Sequence, residues 1–111
     1  MKYYPAFLDV RGRPCVVIGG GQVAERKALA LFDAGADLSL ASPSPPPALT
    51  ELAGKGKIPH HPKRYDEQDL AGADLAIAAT NDAAVNEAVA RACRKKGILV
   101  NAATSPDEGT F

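Results

Sequence analysis

Short apolar runs alternate along this chain with segments whose apolar positions recur every three or four residues, the pattern of a parallel sheet with crossover helices. "CVVIG" (15–19) is β-branched and unbroken by charge, as a central strand buried on both faces requires. From Gln22 to Ala34, Ala24, Ala28, Leu31 and Phe32 fall on one helical face, while Glu25, Arg26 and Lys27 lie largely elsewhere and Gly35 is placed to end the helix. "DLSLAS" (37–42) alternates and reads as a second strand. The prolines of "PSPPPALTELAGKG" can start a helix but cannot sit inside one, so a loop and then a short helix over 47–53 are expected. Pro59 confines a third strand, over 57–61, to a sheet edge. "DEQDLAGA" (66–73) predicts a turn of helix leading into "DLAIAAT" (74–80), the clearest strand after the first. Asn81 is expected to cap the following helix, with Val85, Ala88, Val89, Ala92 and Cys93 as its apolar stripe. Lys95 and Lys96 suit the negative end of that helix, Gly97 stops it, and "ILVNAA" (98–103) is the last strand. There is no internal repeat, and the Pro/Ser segment 42–47 is too short for a domain linker, so residues 1–111 read as one domain.

The candidate chemistry sits at the turns that follow strands. "GGGQVA" (19–24) fits G-x-G-x-x-A directly after a strand and before a helix. Gly19, Gly20 and Gly21 allow a tight turn and close approach of a pyrophosphate, the free N–H groups at Gln22 and Val23 bind it, and Ala24 lets helix and strand pack tightly. The expected architecture is therefore α/β: a Rossmann-like, doubly wound parallel sheet with helices on both faces, in a single three-layer domain. An acid at the end of the second strand would select NAD and a nearby arginine NADP, but Ala41, Ser42, Pro43 and Ser44 are neither. The residues themselves specify a dinucleotide without assigning its type.

Ligands of such a sheet gather beyond the carboxyl ends of its strands, where "ATND" (79–82) and "NAATSPDE" (101–108) also end. Thr80, Asn81 and Asp82 either line the nicotinamide or adenine side or only cap the next helix; Asn101 either holds a loop or faces the cofactor. The neighbours His60 and His61 in "HHPKRY" point to opposite faces of an extended chain, and no Cys, Asp or Glu lies close enough in sequence to complete a metal site, so no metal is expected.

Charge narrows the partners. Thirteen basic and thirteen acidic residues balance, which gives no electrostatic reason to expect nucleic acid. Cys15 and Cys93 lack framework spacing and read as small buried hydrophobes in a reducing cytoplasm. "MKYYPAFLDVRGR" carries no export signal and no apolar run approaches membrane-spanning length, so a cytoplasmic protein without a membrane partner is expected.

The opening "YPAFLDVRGRPCVVIGGGQVAERKALALFDAGA" and the later "DLAIAATNDAAVNEAVARACRKKGILVN" resemble the N-terminal domain of siroheme synthases and of the related precorrin-2 dehydrogenase/sirohydrochlorin ferrochelatases, over essentially the whole chain. The resemblance implies oxidation of precorrin-2, a tetrapyrrole, to sirohydrochlorin with hydride passed to NAD⁺, in many members followed by Fe²⁺ insertion. It implies NAD rather than NADP, with Gly19 to Val23 at the pyrophosphate, Pro43 and Ser44 by the adenosine ribose, and Thr80 to Asp82 along the cofactor. It also implies homodimers, formed through C-terminal dimerisation and helical domains that lie beyond the point matching Phe111; those domains are expected to be absent from this chain. Where the family's last strand reads Asn, two apolar residues and a catalytic aspartate, this chain has Asn101, Ala102, Ala103 and Thr104. A threonine hydroxyl does not titrate near neutral pH, so the candidate acid/base is Asp107, three residues on, or a group outside the chain. Two expectations follow: the NAD-binding domain of a precorrin-2 dehydrogenase, weak or inactive by itself, or a catalytically silent NAD(H)-binding module.

Overall fold

The computed structural model describes residues 4–45, 47–61 and 64–102. In chain order the elements are β1 (Pro14–Ile18), α1 (Gln22–Asp33), β2 (Asp37–Ala41), α2 (Pro47–Gly54), β3 (His60–His61), a 3₁₀ turn at Glu67–Leu70, β4 (Leu75–Ala78), α3 (Ala83–Lys96) and β5 (Leu99–Ala102). All strand pairs are parallel, in the order β3-β2-β1-β4-β5. The chain thus winds outward from β1 to β3, crosses back to β4 beside β1, and winds outward again to β5.

Alternation along the strands builds a core on each face of the sheet. Cys15 and Val17 turn toward α1 and α2, where they meet Ala24, Ala28, Leu38, Leu40, Leu49 and Ile58. Val16 and Ile18 turn the other way, toward α3 and the 3₁₀ turn, among Leu70, Val89, Ala90, Cys93 and Val100. β1 is therefore buried on both faces, which its unbroken apolar composition requires. Ala24 and Ala28 of α1 are completely buried, and their short side chains let the helix lie close to the sheet. Leu31 and Phe32 pack at the edge of that core.

The expected three-layer α/β arrangement is present, with shifts at element ends. β1 begins at Pro14, and β3 holds two of the described residues at the sheet edge, where the carbonyl of Pro59 accepts from the Leu40 N–H at 2.9 Å. The cap of α3 is Asp82, not Asn81: its carboxylate accepts from the N–H groups of Ala84 (2.9 Å) and Val85 (3.4 Å). The buried face of α3 is also rotated from the expected stripe. Ala88 is exposed, whereas Asn86 and Ala90 are buried with Val89, Ala92 and Cys93. Gly97 ends the helix as expected, in the left-handed conformation (φ 73°) that glycine adopts without strain. Both cysteines are free and buried, one in each core. No helix among the described residues is long and apolar enough to cross a membrane.

Candidate functional site

Ile18 is level with Ala41 of β2 on one side and Ala78 of β4 on the other, so three carboxyl ends come to one height where the winding reverses. A cleft of about 950 Å³ opens there. The size is that of a small-molecule or cofactor site, and the position is where doubly wound sheets bind their ligands.

The β1–α1 turn forms its floor. Gly19 has φ +140°, and a Cβ there would stand 2.6 Å from the carbonyl carbon of Ala79 and closer still to its oxygen. The first glycine is thus required by the approach of β4. A Cβ at Gly20 would drive into the Ser44 carbonyl and stand 2.6 Å from the Ser42 hydroxyl, so the second is required by the loop leaving β2. Gly21 differs: nothing lies within 4 Å of the Cβ it lacks. Its open side belongs to the cleft.

The two helices that start at the cleft end differently. Asp82 satisfies the first N–H groups of α3 with its own carboxylate. The N-cap of α1 is Gly21, which has no side chain to cap with; the first intrahelical bond runs from the Glu25 N–H to the Gly21 carbonyl at 3.0 Å. The amides of Gln22, Val23 and Ala24 precede that bond, and Gln22 and Val23 line the cleft. A helix start with free N–H groups and the positive end of the dipole presents a site for an anion.

One wall is the exit of β2. The Ser42 N–H donates to the His61 carbonyl (3.2 Å), His60 Nε2 bonds the Ser42 carbonyl (2.8 Å), and the Ser44 N–H donates to the buried Ser42 hydroxyl (3.2 Å). The opposite wall is the β4–α3 turn, fixed by Asn86. Its Oδ1 accepts from the Thr80 N–H (3.0 Å) and hydroxyl (2.7 Å), and its Nδ2 donates to the Thr80 carbonyl (3.1 Å). Asn86 is fully buried, and these bonds satisfy its amide inside the core. Tyr65 closes one side, packed against the core beneath α3. Burial, with weaker repulsion from neighbouring acids, pushes its phenol up to about 12, so it stays protonated at neutral pH.

Gly19, Gly20, Gly21, Gln22, Val23, Pro43, Ser44, Thr80, Asn81 and Asp82 are all brought together around this cleft. For Thr80 to Asp82, lining and capping coexist, because Asp82 does both. Asn101 sits on β5 opposite Ile77, half-buried and outside the cleft lining. Thr104 and Asp107 lie outside the described residues. Arg64 and Tyr65 are cleft residues that the sequence did not single out; Ser42 was read only as part of the neutral end of the second strand, and Asn86 was not assigned to the site. For Asn86 the signal was present: Asn86, Val89, Ala90 and Cys93 are spaced i, i+3, i+4, i+7, one buried face whose first member is polar.

Over residues 6–111 the chain matches the family described as "Putative NAD(P)-binding". Among curated proteins it is 48% identical over 101 residues to a siroheme synthase of Chromobacterium violaceum, covering 91% of this chain and 22% of the relative. It is 41% identical over 111 residues to a siroheme synthase of Methylobacillus flagellatus, covering 100% of this chain and 24% of the relative. The chain thus spans under a quarter of the length of these relatives. Among solved structures it superposes on SirC, a precorrin-2 dehydrogenase, with a TM-score of 0.85 and 33% identity, covering 98% of this chain and 53% of SirC. With its Rossmann-like winding, its glycine turn at the switch point and a match over nearly its full length, the chain belongs to this NAD(P)-binding family.

Proposed function

We propose that this chain holds NAD in the cleft and forms the cofactor-binding part of a precorrin-2 dehydrogenase that makes sirohydrochlorin for siroheme. The observation that carries the reading is the contrast between the two helix starts: α3 is capped by its own aspartate, while α1 leaves its N–H groups open beside the unobstructed Gly21. A pyrophosphate on the backbone of Gly19 to Val23 would occupy that place, with the adenosine ribose by Pro43 and Ser44 and the remainder of the cofactor along Thr80 to Asp82. NAD⁺ held there would supply the acceptor for a hydride from the tetrapyrrole, the accompanying proton passing to an acid/base group. Ferrochelation by the complete protein belongs to the same proposal, as does dimerisation through segments beyond this chain.

One observation favours a second reading, an NAD(H)-binding module without turnover. Of the described cleft residues, Asp82 is the carboxylate, and it is engaged in the α3 cap, while burial holds Tyr65 protonated. The carboxylate of this lining is thus committed to the helix start, and the reading then takes Asp107 or a group outside the chain as the acid/base.

The test is calorimetric titration of the chain with NAD⁺ and NADH, followed by an absorbance assay with precorrin-2, using the chain alone and the chain fused to the remaining segments of the Chromobacterium relative. NAD⁺ binding with NADH formation by the fusion supports the dehydrogenase reading. Binding with turnover in neither form selects the silent module, and absence of binding refutes both.

A further inference from the structure

Arg64 was not part of the glycine motif, yet it lines the same cleft as Ser42, Pro43 and Ser44. Its place follows from the sheet edge. The His61 carbonyl is bonded to the Ser42 N–H, and Arg64 follows His61 by three residues, at most about 10 Å of extended chain. Arg64 thus shares the cleft with the carboxyl end of β2, the position beside which a doubly wound sheet holds the adenosine ribose. No acid occupies that strand end: Ala41, Ser42, Pro43 and Ser44 are neutral, and three hydrogen bonds pin Ser42. The acid of the cleft lining, Asp82, stands at the end of β4 instead. Arg64 forms no ion pair with another described residue. A carboxylate at the end of β2 would accept the ribose hydroxyls and repel a phosphate; a neutral strand end with an arginine in the same cleft favours the reverse.

We propose that Arg64 is a specificity-determining residue that faces the ribose 2′ position, so that the cleft admits the 2′-phosphorylated dinucleotide, NADP, alongside NAD. The assignment rests on the dinucleotide reading of the cleft and adds to it which dinucleotides enter. A guanidinium suits the task because it presents paired donors to phosphate oxygens and stays charged at every working pH. NAD has hydroxyls there, so it loses little when Arg64 is removed.

The test is calorimetric titration of the chain with NAD⁺ and NADP⁺, for the wild type, Arg64→Ala and Arg64→Lys. NADP⁺ is expected to bind within about tenfold of NAD⁺. Arg64→Ala should weaken NADP⁺ about tenfold and NAD⁺ less than twofold, with Arg64→Lys intermediate for NADP⁺. The wild-type NADP⁺ affinity should fall more steeply with salt than that for NAD⁺. If NAD⁺ binds and NADP⁺ does not, or if Arg64→Ala weakens both equally, the assignment of Arg64 is overturned and the NAD reading stands. If neither dinucleotide binds, the cleft reading itself fails and the Arg64 assignment with it.

Discussion

Replacing Gly21 by alanine separates holding a ligand from holding the fold. Gly21 has φ −92° and ψ −170°, extended backbone open to any L-residue, and no atom lies within 4 Å of the Cβ that alanine would add. Two small terms act on the unliganded protein. Alanine restricts the unfolded chain, which stabilises by about 0.4–1 kcal/mol, and it is a poorer helix N-cap than glycine by a similar amount. They nearly cancel, so the melting temperature should move by no more than about 4 °C. Binding should respond otherwise, because the added methyl stands where the pyrophosphate must approach the backbone; a loss of tenfold or more, about 1.4 kcal/mol, is expected. Thermal denaturation with and without NAD⁺ reads both effects. At a ligand concentration 100 times its Kd the wild type gains about 2.7 kcal/mol, and a variant binding tenfold more weakly keeps about half of that. A variant that binds NAD⁺ as well as the wild type would refute the placement of the phosphates on this turn. A variant destabilised by more than about 2 kcal/mol without ligand would refute the open geometry of Gly21.

Gly20→Ala should behave in the opposite way, destabilising the unliganded domain by about 1–3 kcal/mol in urea unfolding because its Cβ meets the Ser44 backbone and the Ser42 hydroxyl. Asn86→Leu leaves the Thr80 amide and carbonyl without their partner and should cost about 2–3 kcal/mol, measured by the same unfolding, with NAD⁺ affinity falling because the Thr80–Asp82 wall loses its anchor. Burial pushes the Cys93 thiol up to about 11. Its folded value lies above the unfolded one, so its contribution is complete below about pH 9 and is lost as pH rises through 11; Cys93→Ala should reduce the stability lost across that interval by about 2 kcal/mol in pH-dependent chemical denaturation.

The elements that local pattern determines were legible in the chain. β1 announces itself because both its faces are buried, so neither a charge nor an alternation interrupts it. Gly35 and Gly97 mark helix ends because both carry positive φ, a constraint written in single residues. The cap of α3 was misplaced by one residue, since Asn81 and Asp82 are both good caps and only the path of the turn chooses between them. The buried face of α3 was misjudged because alanine is equally at home inside and outside, so Ala88 and Ala90 could exchange places without disturbing the pattern. Gly20 occupies a free position of the motif, and the reason it is glycine is a loop more than twenty residues away. Arg64 and Tyr65 carried no local signal either, because they follow an edge strand and reach the cleft through the fold alone.

The uncapped start of α1 has a consequence for hydrogen exchange. Its first amides, at Gln22, Val23 and Ala24, have no intrahelical acceptor, whereas those of Ala84 and Val85 at the start of α3 are bonded to Asp82. In the free protein the first set should exchange at close to solvent-limited rates and the second should be slowed. A bound anion supplies the acceptors that α1 lacks and closes this difference. The two helix starts therefore form a matched pair within one molecule, in which α3 serves as an internal standard against which protection at α1 reports occupancy of the cleft, residue by residue.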